Sequence, residues 1–193
     1  MTFRKAIVLV LGLELLIGAF AYFNYGQTLE GLQAVTRYSG RLSLVLFSVI
    51  FLLLPKNEKG IKLILSEKPF QVFAVAHGIH LVELLSYVYL SGNDLIPLRL
   101  AGGFLAYVII FAMPFIQDRH ITGNLTPKRY LIYQTIYLYY VWFIFFMSYL
   151  PRVQGKLLNV GGSYWEFVVL LCWVCMMLGM KLSVQLFQPK SKR

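Results

Sequence analysis

Six stretches of this chain run for close to 20 residues with almost no charge, and that pattern leaves few folds open. They cover 6–23, 38–54, 69–90, 97–116, 130–150 and 161–180. About 20 apolar residues in a helix cross the ~30 Å hydrocarbon core of a bilayer. Within lipid every backbone N–H and C=O needs a partner inside the protein, so a spanning stretch is either a helix or a strand of a closed barrel. The period-two alternation of barrel strands is absent. The expected fold is therefore all-α: a polytopic membrane bundle of six transmembrane helices. Composition agrees, since only 13% of residues are charged against about 25% in soluble domains.

Proline and glycine punctuate the runs: Pro55, Pro69, Pro97, Pro127, Pro151 and the pair Gly161–Gly162. Proline suits a first helical turn and disrupts an interior, so each marks an expected boundary. No linker is long enough for a second domain and no internal repeat is visible, so residues 1–193 are expected to form a single transmembrane domain. The first run follows Arg4 and Lys5 in the manner of a signal peptide. It lacks a clear small-x-small cleavage site and is long enough to span, so it is expected to be a retained helix.

The net charge of +10 would suggest nucleic acid in a soluble protein. Here the charge sits in short loops and tails, where it reads as a topology signal and an attraction to anionic lipid. No nucleic-acid partner is expected; the bilayer is. With the N-terminus inside, the inner segments carry Arg4 and Lys5, then Lys56, Lys59, Lys62 and Lys68, then Arg119, Lys128 and Arg129, and finally Lys181, Lys190, Lys192 and Arg193. The outer segments carry only Arg37, Arg41, Arg99, Arg152 and Lys156. The bias holds in every loop and predicts an N-in/C-in arrangement. Small size and short loops suit a bacterial inner membrane.

Ionisable side chains are costly in the bilayer interior and mark function there. Four qualify: Glu14 in the first run, and His77, His80 and Glu83 in the third. The last three are spaced i, i+3, i+6 and share one slowly drifting helix face, with Tyr87 further along it. A neutral imidazole is a good haem-iron ligand, and a flat apolar cofactor with two propionates fits between helices. The competing account is that these histidines hydrogen-bond a neighbouring helix. His77 and His80 project from one side of one helix, so they do not grip opposite faces of the same haem. A non-haem di-iron site needs more histidines than the three present, and His120 lies in a loop.

Other motifs carry less. Cys172 and Cys175 form a Cys-x-x-Cys pair surrounded by Leu170, Leu171, Trp173 and Val174, where thiols without a charged neighbour serve as small packing residues. Tyr133, Tyr137 and Tyr140 make a stripe in the fifth run that is expected to face the bundle, with Gln134 the only amide there. No phosphate loop, Ser-His-Asp set or His-Glu-x-x-His sequence occurs. If this chain moves electrons, a separate redox partner must supply them.

From Arg37 to about residue 150 the pattern resembles the ferric-reductase-like transmembrane domain family. Arg37-Tyr38-Ser39-Gly40-Arg41 followed by an apolar run to Pro55 is similar to that family's Gly-Arg opening and proline close. Lys68 precedes the third run, and His80 falls twelve residues later, at about the family's position for a haem-ligating histidine. Gly102-Gly103-Phe104-Leu105-Ala106 resembles its next helix, and 122–129 its basic entry to the fifth. There the chain departs from the pattern. The family carries two histidines in that helix, and with Tyr137 aligned to its tyrosine those positions read Tyr133 and Phe146.

The resemblance implies a membrane redox subunit with haem b held by His80, or by His77 as second candidate. Arg37, Arg41 or Arg99 would pair with propionates near the outer face, and Lys68 near the inner. Two other readings stay open: a haemless membrane partner or assembly protein, and a small proton-coupled transporter using Glu14 and Glu83.

Overall fold

The computed structural model describes residues 1–92, 97–157 and 161–186, with side chains placed for all of these except 97–101 and 184–186. It contains α1 (Phe3–Tyr25), α2 (Leu29–Leu53), α3 (Glu58–Ile64), α4 (Pro69–Ser91), α5 (Pro97–Ile121), α6 (Pro127–Val153) and α7 (Tyr164–Leu186). All but α3 are long and apolar enough to cross a bilayer. The protein is a multi-pass helical membrane protein, and no strand occurs among the described residues.

Local chemistry sets the helix ends, and several depart from expectation: α5 runs on to Ile121, which takes His120 out of the expected loop and into the helix, and α7 runs on to Leu186. α2 begins at Leu29 and not near Tyr38, because Thr28 caps it: its hydroxyl accepts from the Gly31 N–H at 3.3 Å, with Glu30 in the first turn. Such a cap satisfies an orphan donor, and the acidic residue suits the helix dipole. The extra turns carry Gln33, Thr36 and Arg37 into the bundle. α6 runs through Pro151 to Val153, so this proline sits in the last turn and does not end the helix. α3, absent from the expected elements, is a short helix capped by Asn57, whose side chain accepts from Gly60 N–H at 2.8 Å. α4 follows the sequence rules closely, with Pro69 in its first turn and Gly92 left-handed at φ 61° after its end.

α2 is the hub. It packs on α1, α4, α6 and α7, while α4–α5, α5–α6 and α6–α7 pair in sequence order and α1 also touches α4. Half of the α2 span is buried inside the bundle, twice the 22% of α1. Its inward face carries Thr36, Ser39, Ser43 and Ser48, small residues that let helices approach closely in lipid.

Toward the C-terminal end of α2 the interior is an aromatic plug. Phe47 meets Phe51, Phe73 and Phe145 at 5.4–5.7 Å between ring centroids, and Phe70 meets Tyr137 edge-on at 5.0 Å. Lys181 of α7 closes that end: its buried ammonium donates to the carbonyls of Phe51 and Leu54, where α2 runs out of partners. At the same end Lys68 pairs with Asp118 at 3.5 Å, and Asp118 also accepts from Gln71. The opposite half of the bundle is hollow.

Candidate functional site

The hollow is a cavity of about 440 Å³ between α2, α4, α5 and α6, within the ~300–1,000 Å³ typical of ligand and cofactor sites. Its middle is apolar, lined by Leu84, Ala106, Ile110, Val141, Ile144 and Phe145. α4 presents His77 and His80 to it, with ring centroids 5.3 Å apart. The i, i+3 face read from the sequence thus points inward. Tyr87, on the same stripe, also lines the cavity and accepts from Gln33 of α2 at 2.7 Å.

The two histidines sit differently. His77 stacks on Phe73 at 5.2 Å and on Tyr107 at 4.9 Å, so aromatic rings occupy its flanks. His80 points its Cε1 edge at Gly40 of α2, beside the Thr36 backbone. On each histidine Nδ1 is sealed from solvent and has no partner. Buried polar atoms are normally paired, so these two unsatisfied nitrogens stand out within the bundle.

One end of the cavity is cationic. Arg37, Arg41 and Arg152 reach it from α2 and α6. Arg41 pairs with Glu166 at 2.8 Å, and that carboxylate also accepts from the Ser163 N–H. The Nε atoms of Arg37 and Arg41 remain buried without partners. Arg152 donates back to the Ser148 carbonyl and lies over the Phe167 ring. The α6–α7 turn crosses Arg37 closely enough that any side chain at Gly161, held at φ 59°, would strike the guanidinium. A second depression of about 540 Å³ beside the α1–α2 turn, lined by Tyr22, Gln27, Thr28, Leu29, Leu32 and Leu90, holds no orphaned buried polar atom.

Glu14 and Glu83 also come together, outside the cavity. Ser39 donates to Glu14 at 3.1 Å, and Glu83 of α4 stands near both, at the α1–α2–α4 junction.

Several expectations are redistributed. Lys68 is an unsuitable propionate partner, because it pairs with Asp118 beyond the aromatic plug and does not line the cavity. The side chain of Arg99 lies outside the described residues. The tyrosine stripe divides: Tyr137 is fully buried, Tyr140 donates to the Gly102 carbonyl, and Tyr133 is 44% exposed. Cys172 and Cys175 are free and lie on the outer surface of the bundle. His120 stacks on Tyr130 near the α5–α6 turn.

Arg152 and Tyr107 were not singled out from the sequence as site residues. Arg152 follows a proline that reads as a boundary; its spacing of four from Ser148 was the available signal. Among the described residues, no three His, Cys, Asp or Glu side chains gather as a metal site.

Comparison with known protein families, with curated proteins and with solved structures yields no match. The cavity must therefore be interpreted from its own chemistry.

Proposed function

We propose that this chain is a haem-b membrane protein of the ferric-reductase-like kind, which passes electrons within or across the bilayer. One observation carries this reading. Two imidazoles, each with an orphaned ring nitrogen, line a cavity that is apolar in the middle and cationic at one end. A flat macrocycle with two carboxylates asks for that distribution: nitrogen donor, apolar walls, guanidiniums at the edge.

His80 is the first choice of axial ligand. Its ring is held against Gly40 of α2, which limits its orientation. Arg37, Arg41 and Arg152 would hold the carboxylates, with Glu166 keeping Arg41 in place. From α6 the cavity lining holds no second histidine: it is Val141, Ile144, Phe145, Ser148, Tyr149 and Arg152. The bound group would contribute a one-electron couple. The protein's own residues would exclude water, fix the imidazole and neutralise the carboxylates.

The loop charges favour both termini inside and the arginine end of the cavity outside. The size and loop lengths suit a bacterial inner membrane. A separate redox polypeptide would deliver the electrons.

The test is a reduced-minus-oxidised spectrum of protein purified in detergent after haem-replete expression. A b-type band that disappears in His80→Ala is expected. A band that survives His80→Ala but not His77→Ala moves the ligand to His77. Absence of any band overturns the reading in favour of a haemless membrane partner.

A further inference from the structure

We propose that α3 is a membrane-surface helix that binds anionic phospholipid, with Lys59 and Lys62 on the phosphates and Leu63 and Ile64 among the acyl chains. This site stands apart from the haem reading and uses none of the cavity residues.

The connectivity puts α3 at the bilayer surface. It joins α2 and α4, two spans, so it lies where one leaves the membrane and the other re-enters. Asn57 caps its start, and Ile61 and Leu65 are buried in the main hydrophobic core. The helix is therefore held against the bundle before any lipid arrives, and little ordering cost remains on binding.

Helical geometry divides the rest of its surface. At about 100° per residue, Lys59 and Leu63 lie opposite the stripe of Ile61 and Leu65, while Lys62 and Ile64 fall on the two flanks. One outward sector is thus basic, with Lys62 and Lys59, and the next is apolar, with Leu63 and Ile64. Both lysines are exposed, and Leu63 and Ile64 are 77% and 54% exposed. A wholly aqueous setting gives no reason for that division. A helix lying in the interface uses it directly: its apolar side chains dip below the headgroups and its lysines reach up to them.

Charge selects the lipid. Among the described residues neither Lys59 nor Lys62 takes part in an ion pair. The Phe3 N–H donates to Glu67 at 3.4 Å, and Lys68 pairs with Asp118. The start of α1 and the end of α5 therefore meet the chain just after α3. Arg4, Lys5, Arg119, Lys128 and Arg129 are exposed around this same end, against Glu58 and Glu67. Such an excess of cations at a bilayer surface attracts acidic headgroups. An acidic soluble protein would satisfy the lysines, but it would leave no role for the aliphatic pair beside them.

The experiment uses the full chain. Native mass spectrometry from detergent should show tighter binding of phosphatidylglycerol than of phosphatidylcholine. Lys59→Gln with Lys62→Gln should weaken phosphatidylglycerol binding about thirtyfold, at roughly 1 kcal/mol per lysine, and leave phosphatidylcholine unchanged. Lys128→Gln with Arg129→Gln, the same loss of charge on α6, should have a much smaller effect. In phosphatidylglycerol nanodiscs, a nitroxide attached through Leu63→Cys, in a Cys172→Ala and Cys175→Ala background, should be relaxed by oxygen more than by a water-soluble nickel complex. A nitroxide attached through Lys59→Cys should show the reverse. Equal affinity for the two lipids, or equal losses in the two double variants, overturns headgroup recognition by α3. A nickel-accessible label at residue 63 overturns the lipid contact and makes this face a site for a soluble partner. The nitroxide measurement does not depend on the double variants, so it decides the lipid contact even if one of them fails to fold.

Discussion

The imidazole of His80 lies against the backbone of Gly40: a Cβ built on residue 40 would stand 3.0 Å from Cε1 of the ring and 3.5 Å from each of its nitrogens. This contact ties the hub helix to the candidate ligand and leads to a selective substitution. Alanine is a better helix former than glycine by about 1 kcal/mol, so Gly40→Ala should fold. The added methyl must displace the ring by a few tenths of an ångström. We expect unchanged helicity by circular dichroism and haem affinity about tenfold weaker in a titration of the apoprotein. Unchanged affinity would remove Gly40 from the site.

Lys181 bonds the last carbonyls of α2 from a position only 7% exposed. Lys181→Met should leave those acceptors unsatisfied and cost about 1–3 kcal/mol. Thermal unfolding in detergent should report the loss, and Lys181→Arg should recover part of it. A neutral Lys181→Met would mean that water caps α2 equally well.

Arg41 and Glu166 form an ion pair whose side chains are 21% and 40% exposed. Pairs this open contribute under about 1 kcal/mol, so Arg41→Ala should change stability little. Its effect on an anionic ligand should be larger. Glu166→Gln frees the guanidinium for a ligand carboxylate, so haem should bind more tightly than to wild type, while Arg41→Ala weakens it. Equal affinities in all three proteins would exclude Arg41 from carboxylate binding.

Cys172 and Cys175 are free and face outward from the bundle within a membrane span. The double alanine variant should stay within about 0.5 kcal/mol of wild type, as outward substitutions do. In proteoliposomes an impermeant, charged maleimide should label neither thiol, because the reactive thiolate does not form in lipid, and should label both after denaturation in detergent. Labelling in the intact proteoliposomes would place this part of α7 in water.

The membrane architecture was legible residue by residue. Crossing length and charge exclusion are properties of contiguous sequence, so the six spans stand out without knowledge of their neighbours. Their ends were less legible. Thr28 draws α2 back over Glu30, Gln33 and Arg37, polar residues that a hydropathy window discards. Pro151 was misleading because a proline in a last turn does not stop the helix there.

The sequence by itself determined that His77, His80 and Glu83 share one helix face, because helical spacing is local. Only the tertiary structure decided what that face meets. His80 meets Gly40, forty residues earlier; Glu83 comes near Ser39, whose hydroxyl donates to Glu14; and Arg152, from the end of α6, joins Arg37 and Arg41 at one end of one cavity. These partners lie on different helices. Their meeting depends on how whole helices pack, which no window along the chain contains.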